Sequence, residues 1–370
     1  MKDSWVLAGL SALAALFMFS LAWTHRARVF TGNNDFVAFY SGGRLAGTPY
    51  LYNRERIRQV QLERVGVTGE AWRFIRLPYY AAVFWPLAQL PYEAAYLIWQ
   101  ALSLGAAVTF VWLWGASPRG VTALFTCLSL PLATSFMNGQ DLAWLLLWIA
   151  LAMRWHGEQQ PFRAGAVLAL CASKYHLFLL LPLWILARRE WRVAAGLGAG
   201  GAALVAASFL VGGPGWPIEY YEVLRDPSIH PLTASMPNLH GALSFFPALG
   251  RLEWPAAAAV AAAVWVVCRY GTAESGLAAV LAGGLLAGYH AYLPDCAVLL
   301  PAMLVALGRS AWKVSRIGAM ALLTPVPYFL VPLQTPWLAV VPGLALAVLA
   351  ALAAESYASR GRSSRYSPAG

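Results

Sequence analysis

The chain has 370 residues, 60% of them hydrophobic and only 11% charged, with a formal net charge of +10. Soluble domains carry about 25% charged residues, so a soluble globular surface is excluded. Apolar runs recur from end to end at close to the ~20 residues that cross a bilayer as helix, which marks an all-α polytopic membrane protein. The ~10-residue alternating segments of a β-barrel are absent, and the basic residues sit mostly in short loops, where they set topology and meet anionic headgroups rather than nucleic acid.

The first span is expected over Trp5–Trp23; its length and its two terminal tryptophans favour a retained span over a cleaved leader. A polar segment follows, residues 24–78, with no membrane-length run. It contains Asp35, the first carboxylate after that span, within TGNNDFVAFYSGGRLAGTPYLY (Thr31–Tyr52). A surface helix is expected over Arg54–Val65, with Ile57, Val60, Leu62 and Val65 toward the bilayer interface. Arg76–Pro91 holds three prolines, which argue for a broken or re-entrant helix rather than a straight span. Tyr92–Trp114 is the second span, closed by Ser117-Pro118-Arg119-Gly120.

In the middle, Val121–Thr134 and Leu142–Met153 flank SFMNGQD, and Ala164–Ala172 and His176–Ala187 flank Ser173-Lys174-Tyr175. Arginines at 154, 163, 188, 189 and 192 lie on the connections, which favours two short-helix hairpins with polar apices. Further spans are expected at Val193–Val211, Pro255–Cys268, Gly276–Gly288, Cys296–Leu307, Ile317–Pro332 and Trp337–Ala353, about 10–12 in all, some short or broken. A second polar loop covers 212–254, residues 1–355 form one transmembrane domain, and 356–370 is a basic tail expected to be disordered and cytoplasmic. With the N-terminus inside, 14 of the 26 Lys and Arg face inward and nine of the other 12 fall in the first loop. That loop breaks the positive-inside rule, and phosphate binding is a reason for arginines to gather there.

This topology collects polar groups on the outer side: Asp35; Asn138, Gln140 and Asp141; Lys174 and His176; Asn238 and His240; His290 and Asp295. Ionisable residues at membrane depth are functional candidates by default. Each also has a structural reading. Asp35 suits an N-cap, Asn138-Gly139-Gln140 a turn, Lys174 a snorkelling position, and the histidines interfacial sites. Cys127, Cys171, Cys268 and Cys296 read as small buried hydrophobes. No HExxH, CxxC or phosphate-binding glycine loop is present, so no cofactor is expected and no divalent metal is indicated.

The stretches DFVAFYSGGRLAGTPYLY, LPYYAAVFWPLAQLP, NGQDLAWLLLWIAL, AGAVLALCASKYHLFLLLPLWILARR, SMPNLHGAL and YHAYLPDCAVLL, in that order, resemble glycosyltransferase family 87, once catalogued as DUF2029. The resemblance implies a GT-C-like membrane glycosyltransferase, similar to polyprenyl-phosphomannose-dependent mannosyltransferases, with its active site outside the cytoplasm of the inner (plasma) membrane. It implies an inverting transfer of a hexose, with mannose the family's best-known sugar, from a polyprenyl-phosphate donor to a lipid or glycan acceptor. Asp35 matches the family's acidic residue after the first span; His290 and Asp295 match its His-x-Tyr-x-x-Asp pattern. Asp35 and His290 are then the catalytic candidates. Tyr40, Arg76, Asn138, Gln140, Lys174, Asn238, His240 and Asp295 are the substrate-binding candidates, and membrane lipids, donor and acceptor the partners. The chain departs from the family in carrying Tyr79 after Pro78, and His240 where many members carry Arg. Rival readings are a GT-C-like ligase that uses a polyprenyl diphosphate and a lipid or sugar flippase.

Overall fold

The computed structural model describes residues 2–24, 26–229 and 232–363. Among these, every regular element is a helix, as expected for a chain whose backbone must satisfy its own hydrogen bonds in lipid. Four helices are long and apolar enough to cross a membrane: Tyr92–Leu113, Trp191–Gly212, Pro247–Tyr270 and Pro336–Arg360. Three bent pairs raise the number to seven if each is one span, and three shorter apolar helices, Trp5–Ser20, Leu142–Gly157 and Ala273–Ala287, accompany them. Their outward side chains, such as Trp5, Leu13, Val108, Leu210 and Trp254, are left exposed, which suits contact with lipid tails.

The first expected hairpin has its polar apex at 138–141, between Leu130–Met137 and Leu142–Gly157, but a 58° bend at Ser129, inside the expected first arm, divides Arg119–Leu128 from Leu130–Met137. The second turns by 113° between Pro161–Phe178 and Leu181–Arg188, a few residues past the expected apex; Lys174, inside the first of these segments, leaves helical geometry (φ −133°, ψ 53°). Pro161–Leu168 crosses Trp191–Gly212 at very close range. A Cβ on Gly165 would strike the Val193 carbonyl, and one on Gly196 the Phe162 carbonyl. Only glycine allows this approach.

The proline-rich segment becomes the short helix Pro78–Ala88, with Pro78 in its first turn and Pro86 inside. At 11 residues it rises about 16 Å, too little to cross a bilayer. The Phe36–Leu45 helix packs on it so tightly that a Cβ on Gly43 would meet the Phe84 carbonyl at 2.7 Å. Phe36, Phe39, Tyr40, Tyr80, Phe84, Tyr92, Tyr96 and Trp99 form an aromatic core around the pair, distinct from the aliphatic core that fills the rest of the bundle.

The surface helix spans Arg54–Val65, capped by Asn53 and closed by Gly66 at φ +83°. Ile57 is buried and Leu62 exposed, but the helix is pinned by Gln61, which is 1% exposed. Its amide donates to Ser41 Oγ (3.0 Å) and the Trp72 carbonyl (2.8 Å) and accepts from the Trp72 N–H (3.0 Å). The helix is therefore bound to the protein on that face, where the sequence suggests only an interfacial surface. The tail also differs from expectation. The last helix continues through Ser363, with Glu355 accepting from the Ala311 N–H at 2.7 Å and Arg360 lying over the Tyr270 and Tyr357 rings. Residues 356–363 are thus part of the last helix, contrary to the expected disorder; residues 364–370 lie outside the described residues. All four cysteines are free thiols, three of them buried.

Candidate active site

A cavity of ≈ 740 Å³ opens where the first polar segment meets the two hairpin apices and the Tyr289–Asp295 turn. Asp35 stands at the N-cap position of Phe36–Leu45 but makes no cap hydrogen bond; Asn34 takes that task, its Oδ1 accepting from the Phe36 N–H at 3.0 Å. Asp35 is thereby left to accept from Gln140 Nε2. Gln140 reaches it because Gly139 adopts φ +63° in a turn where a Cβ would meet Phe36, and the Phe36 N–H ties to the Asn138 carbonyl at 3.1 Å.

The same Gln140 side chain accepts from Lys174 Nζ at 3.1 Å. Lys174 also pairs with Asp295 Oδ1 at 2.7 Å, both side chains 4% exposed or less. Asp295 Oδ2 in turn accepts from the Tyr292 N–H at 2.7 Å. A continuous chain results: Asp35, Gln140, Lys174, Asp295, Tyr292. Across the cavity Arg76 lies 3.9 Å from Asp141, whose other oxygen accepts from Tyr80 OH at 2.9 Å. The rim carries Arg73 with Asp226 (2.9 Å) and Arg54 with Glu70 (3.5 Å). Each cation lining the cavity thus already faces a carboxylate, whereas Asp35 takes its hydrogen bond from an amide.

These placements separate the carboxylates. Burial pushes the Asp35 carboxyl above the ordinary range, against the Gln140 hydrogen bond and the charges of Lys174 and Arg76. Asp295 is equally buried, but the Lys174 ammonium holds its carboxyl well below that range. Burial works against Asp141 too, and Arg76 with Lys174 keeps it low. Two carboxylates are thus fixed as anions while Asp35 is the one poised to exchange a proton.

Of the candidates from sequence, Asp35, Arg76, Asn138, Gln140, Lys174, His290 and Asp295 all line this cavity. Three do not. Tyr40 is buried in the aromatic core and donates to the Leu90 carbonyl at 2.7 Å. Asn238 caps Leu239–Ser244 and donates to the Gly288 carbonyl at 2.6 Å, so it supports the turn before His290 from behind. His240 contacts Glu253 at 2.9 Å, away from the cavity lining. The structure adds Trp72, Arg73, His176 and Tyr292. His176 was visible beside Lys174 and Tyr292 inside the His-x-Tyr-x-x-Asp stretch; Trp72 and Arg73 carry no local pattern, since their role depends on contacts far along the chain. Among the described residues no group of three His, Cys, Asp or Glu could hold a metal ion.

The model of glycosyltransferase family 87 matches residues 74–305, a stretch that includes Arg76, both hairpin apices and the Tyr289–Asp295 turn. No curated protein and no solved structure matches the chain.

Proposed function

The chain belongs to glycosyltransferase family 87, which makes it a membrane glycosyltransferase, and from that premise we propose that the cavity transfers a hexose from a polyprenyl-phosphate donor to a lipid or glycan hydroxyl by single displacement. The observation that carries this reading is the Gln140 amide, which joins a carboxylate to an ammonium. A displacement at an anomeric carbon needs a base on the acceptor side and a cation on the leaving-group side. One side chain is hydrogen-bonded to both.

In this reading Asp35 accepts the proton of the acceptor hydroxyl as the new C1–O bond forms. The bond from C1 to the phosphate oxygen breaks, and its electron pair stays on the polyprenyl phosphate. The diester's single negative charge becomes the double charge of a monoester. Lys174 and Arg76 balance the added charge, and Asp35 loses its own on taking the proton. His290, flanked by Tyr289 and Tyr292, positions the acceptor. Inversion at C1 follows from the single displacement.

The ion pairs favour a phosphodiester donor over a diphosphate. Four cations line the cavity, and each is matched by a carboxylate. A singly charged ester can share Lys174 and Arg76 with Asp295 and Asp141; a diphosphate would need positive charge the cavity does not have in surplus. The positive-inside pattern of the short loops supports an N-terminus in the cytoplasm and a cavity on the outer face of the plasma membrane. Mannose is the sugar to try first.

The test is sugar transfer by purified protein in nanodiscs, offered a panel of polyprenyl-phosphate sugars and a total lipid extract as acceptor. Wild type consumes one donor, and Asp35→Asn lowers the rate by about 10²–10⁴-fold, the usual weight of a general base. Consumption of a glycan diphosphate instead would overturn the donor assignment, and an active Asp35→Asn the assignment of the base.

A further inference from the structure

We propose that His176 is a sugar-binding residue of this cavity, its imidazole exchanging one hydrogen bond with a single ring hydroxyl of the transferred hexose. The inference rests on the reading of the cavity as a sugar-transfer site and names the residue that would select the sugar.

Three observations meet at this side chain. His176 lines the cavity wall and is only 9% exposed. Its Nε2 is buried with no hydrogen-bond partner. Its ring stands edge-on to His290, centroids 5.5 Å apart and planes at 88°, with Tyr175 edge-on at 6.0 Å. The neighbouring polar groups on this wall are occupied: Lys174 by Gln140 and Asp295, and Asp295 by Lys174 and the Tyr292 N–H.

A buried polar atom without a partner costs stability, and native proteins rarely leave one so. The cost is offset if the partner arrives with substrate. The chemistry of that partner follows from the surroundings. The phosphate has Lys174 and Arg76 to meet its charge. A single imidazole nitrogen, donor in one tautomer and acceptor in the other, suits a neutral hydroxyl, which can take either part. In this proposal the ring turns from its edge-on rest against His290 to present the buried nitrogen to the cavity. His176 would then touch the sugar while His290 faces the acceptor, so that two adjacent imidazoles sort two substrates.

The experiment uses the donor that wild type turns over and four analogues, each lacking one hydroxyl of the hexose. Wild type, His176→Phe and His176→Asn are compared in nanodiscs, with thermal unfolding as the control for folding. On the complete donor, His176→Phe lowers kcat/KM by about 10- to 100-fold, the range of one lost hydrogen bond in a dry site. On one analogue, and one alone, wild type and His176→Phe become equal within about 3-fold, because the hydroxyl that His176 would meet is already gone. His176→Asn, which keeps a polar group, recovers part of the loss on the complete donor. Should His176→Phe not fold, His176→Asn against wild type carries the same comparison across the five donors.

An equal loss on every analogue overturns the proposal and makes His176 a packing residue. A variant whose inhibition by sugar-free polyprenyl phosphate weakens in step with kcat/KM also overturns it, by moving the contact to the phosphate. If wild type consumes no polyprenyl-phosphate sugar at all, the functional reading falls and takes this inference with it, a result distinct from a flat analogue pattern.

Discussion

Asp35 occupies a capping position without capping, and its raised carboxyl follows from burial. The base must be ionised to work, so the acid limb of kcat/KM should lie above the ordinary carboxylate value of about 3.9. Gln140 stabilises the ionised form, so Gln140→Leu should move that limb to higher pH and lower the plateau, as a pH–rate profile would show. The sign for stability is opposite. A carboxyl raised by the fold is unfavourable when charged, and its penalty grows as pH rises through its folded value. Asp35→Asn should therefore unfold at a higher temperature than wild type at neutral pH while losing activity. Lys174 presents the reverse case. Lys174→Met leaves Asp295 buried and unpaired, which should cost about 3–5 kcal/mol. Adding Asp295→Asn should restore much of the unfolding temperature but not the activity. Much of this was legible from residue type alone, since charges beside apolar runs are rare and each points somewhere. Direction was not legible. Tyr40, Asn238 and His240 sit in the same kind of sequence as the lining residues, yet their polar atoms turn to Leu90, Gly288 and Glu253, partners that no local pattern reveals.

At the level of elements, hydropathy and proline spacing located most of the apolar helices, because lipid leaves the backbone few alternatives, but not Phe36–Leu45 or Trp216–Arg225, which lie in the segments read as polar loops. What they did not show is how one helix is attached to another. Gln61 reads as a polar residue on an exposed helix, but its amide holds the Trp72 backbone by both ends. Gln61→Ala would strand the Trp72 N–H and carbonyl, while the Ser41 hydroxyl keeps its bond to the Val37 carbonyl. Each stranded group costs about 1–3 kcal/mol, so the variant should lower the unfolding temperature and speed proteolysis after Arg73, read on a gel. The Gly165–Gly196 crossing makes a second case. Gly196→Ala drives a methyl group into the Phe162 carbonyl, and the two helices must part. Overpacking of this sort costs about 1–3 kcal/mol or more. Gly198→Ala, in the same helix with open space at its Cβ, should be neutral or mildly stabilising.

Taken whole, the molecule gathers the cavity's carboxylates with His176 and His290 at one end and a second run of arginines, with His156, Glu158 and Glu190 among them, at the other. Arg154, Arg163, Arg188, Arg189 and Arg192 cluster around the connections at the far ends of the hairpin helices. If that end is cytoplasmic, a cysteine at Glu63 in a Cys127→Ser background should react in intact cells with a maleimide that cannot cross membranes. One at Glu158 should react only after the cells are opened. The other native cysteines are buried and add little background. Labelling in the opposite order would invert the topology and place the cavity inside.

The paired cations have one more consequence, for how the enzyme finds its substrate. Arg54, Arg73, Arg76 and Lys174 spend their fields on carboxylates a few ångströms away, so little potential reaches past the cavity mouth. Long-range electrostatic steering, which can speed encounter by orders of magnitude and collapses as ionic strength rises, draws little from these four and falls instead to exposed arginines of the surface helix such as Arg56, Arg58 and Arg64. At the cavity mouth itself capture would depend on how densely the donor populates the plane of the bilayer, and kcat/KM should scale with its mole fraction in the nanodisc.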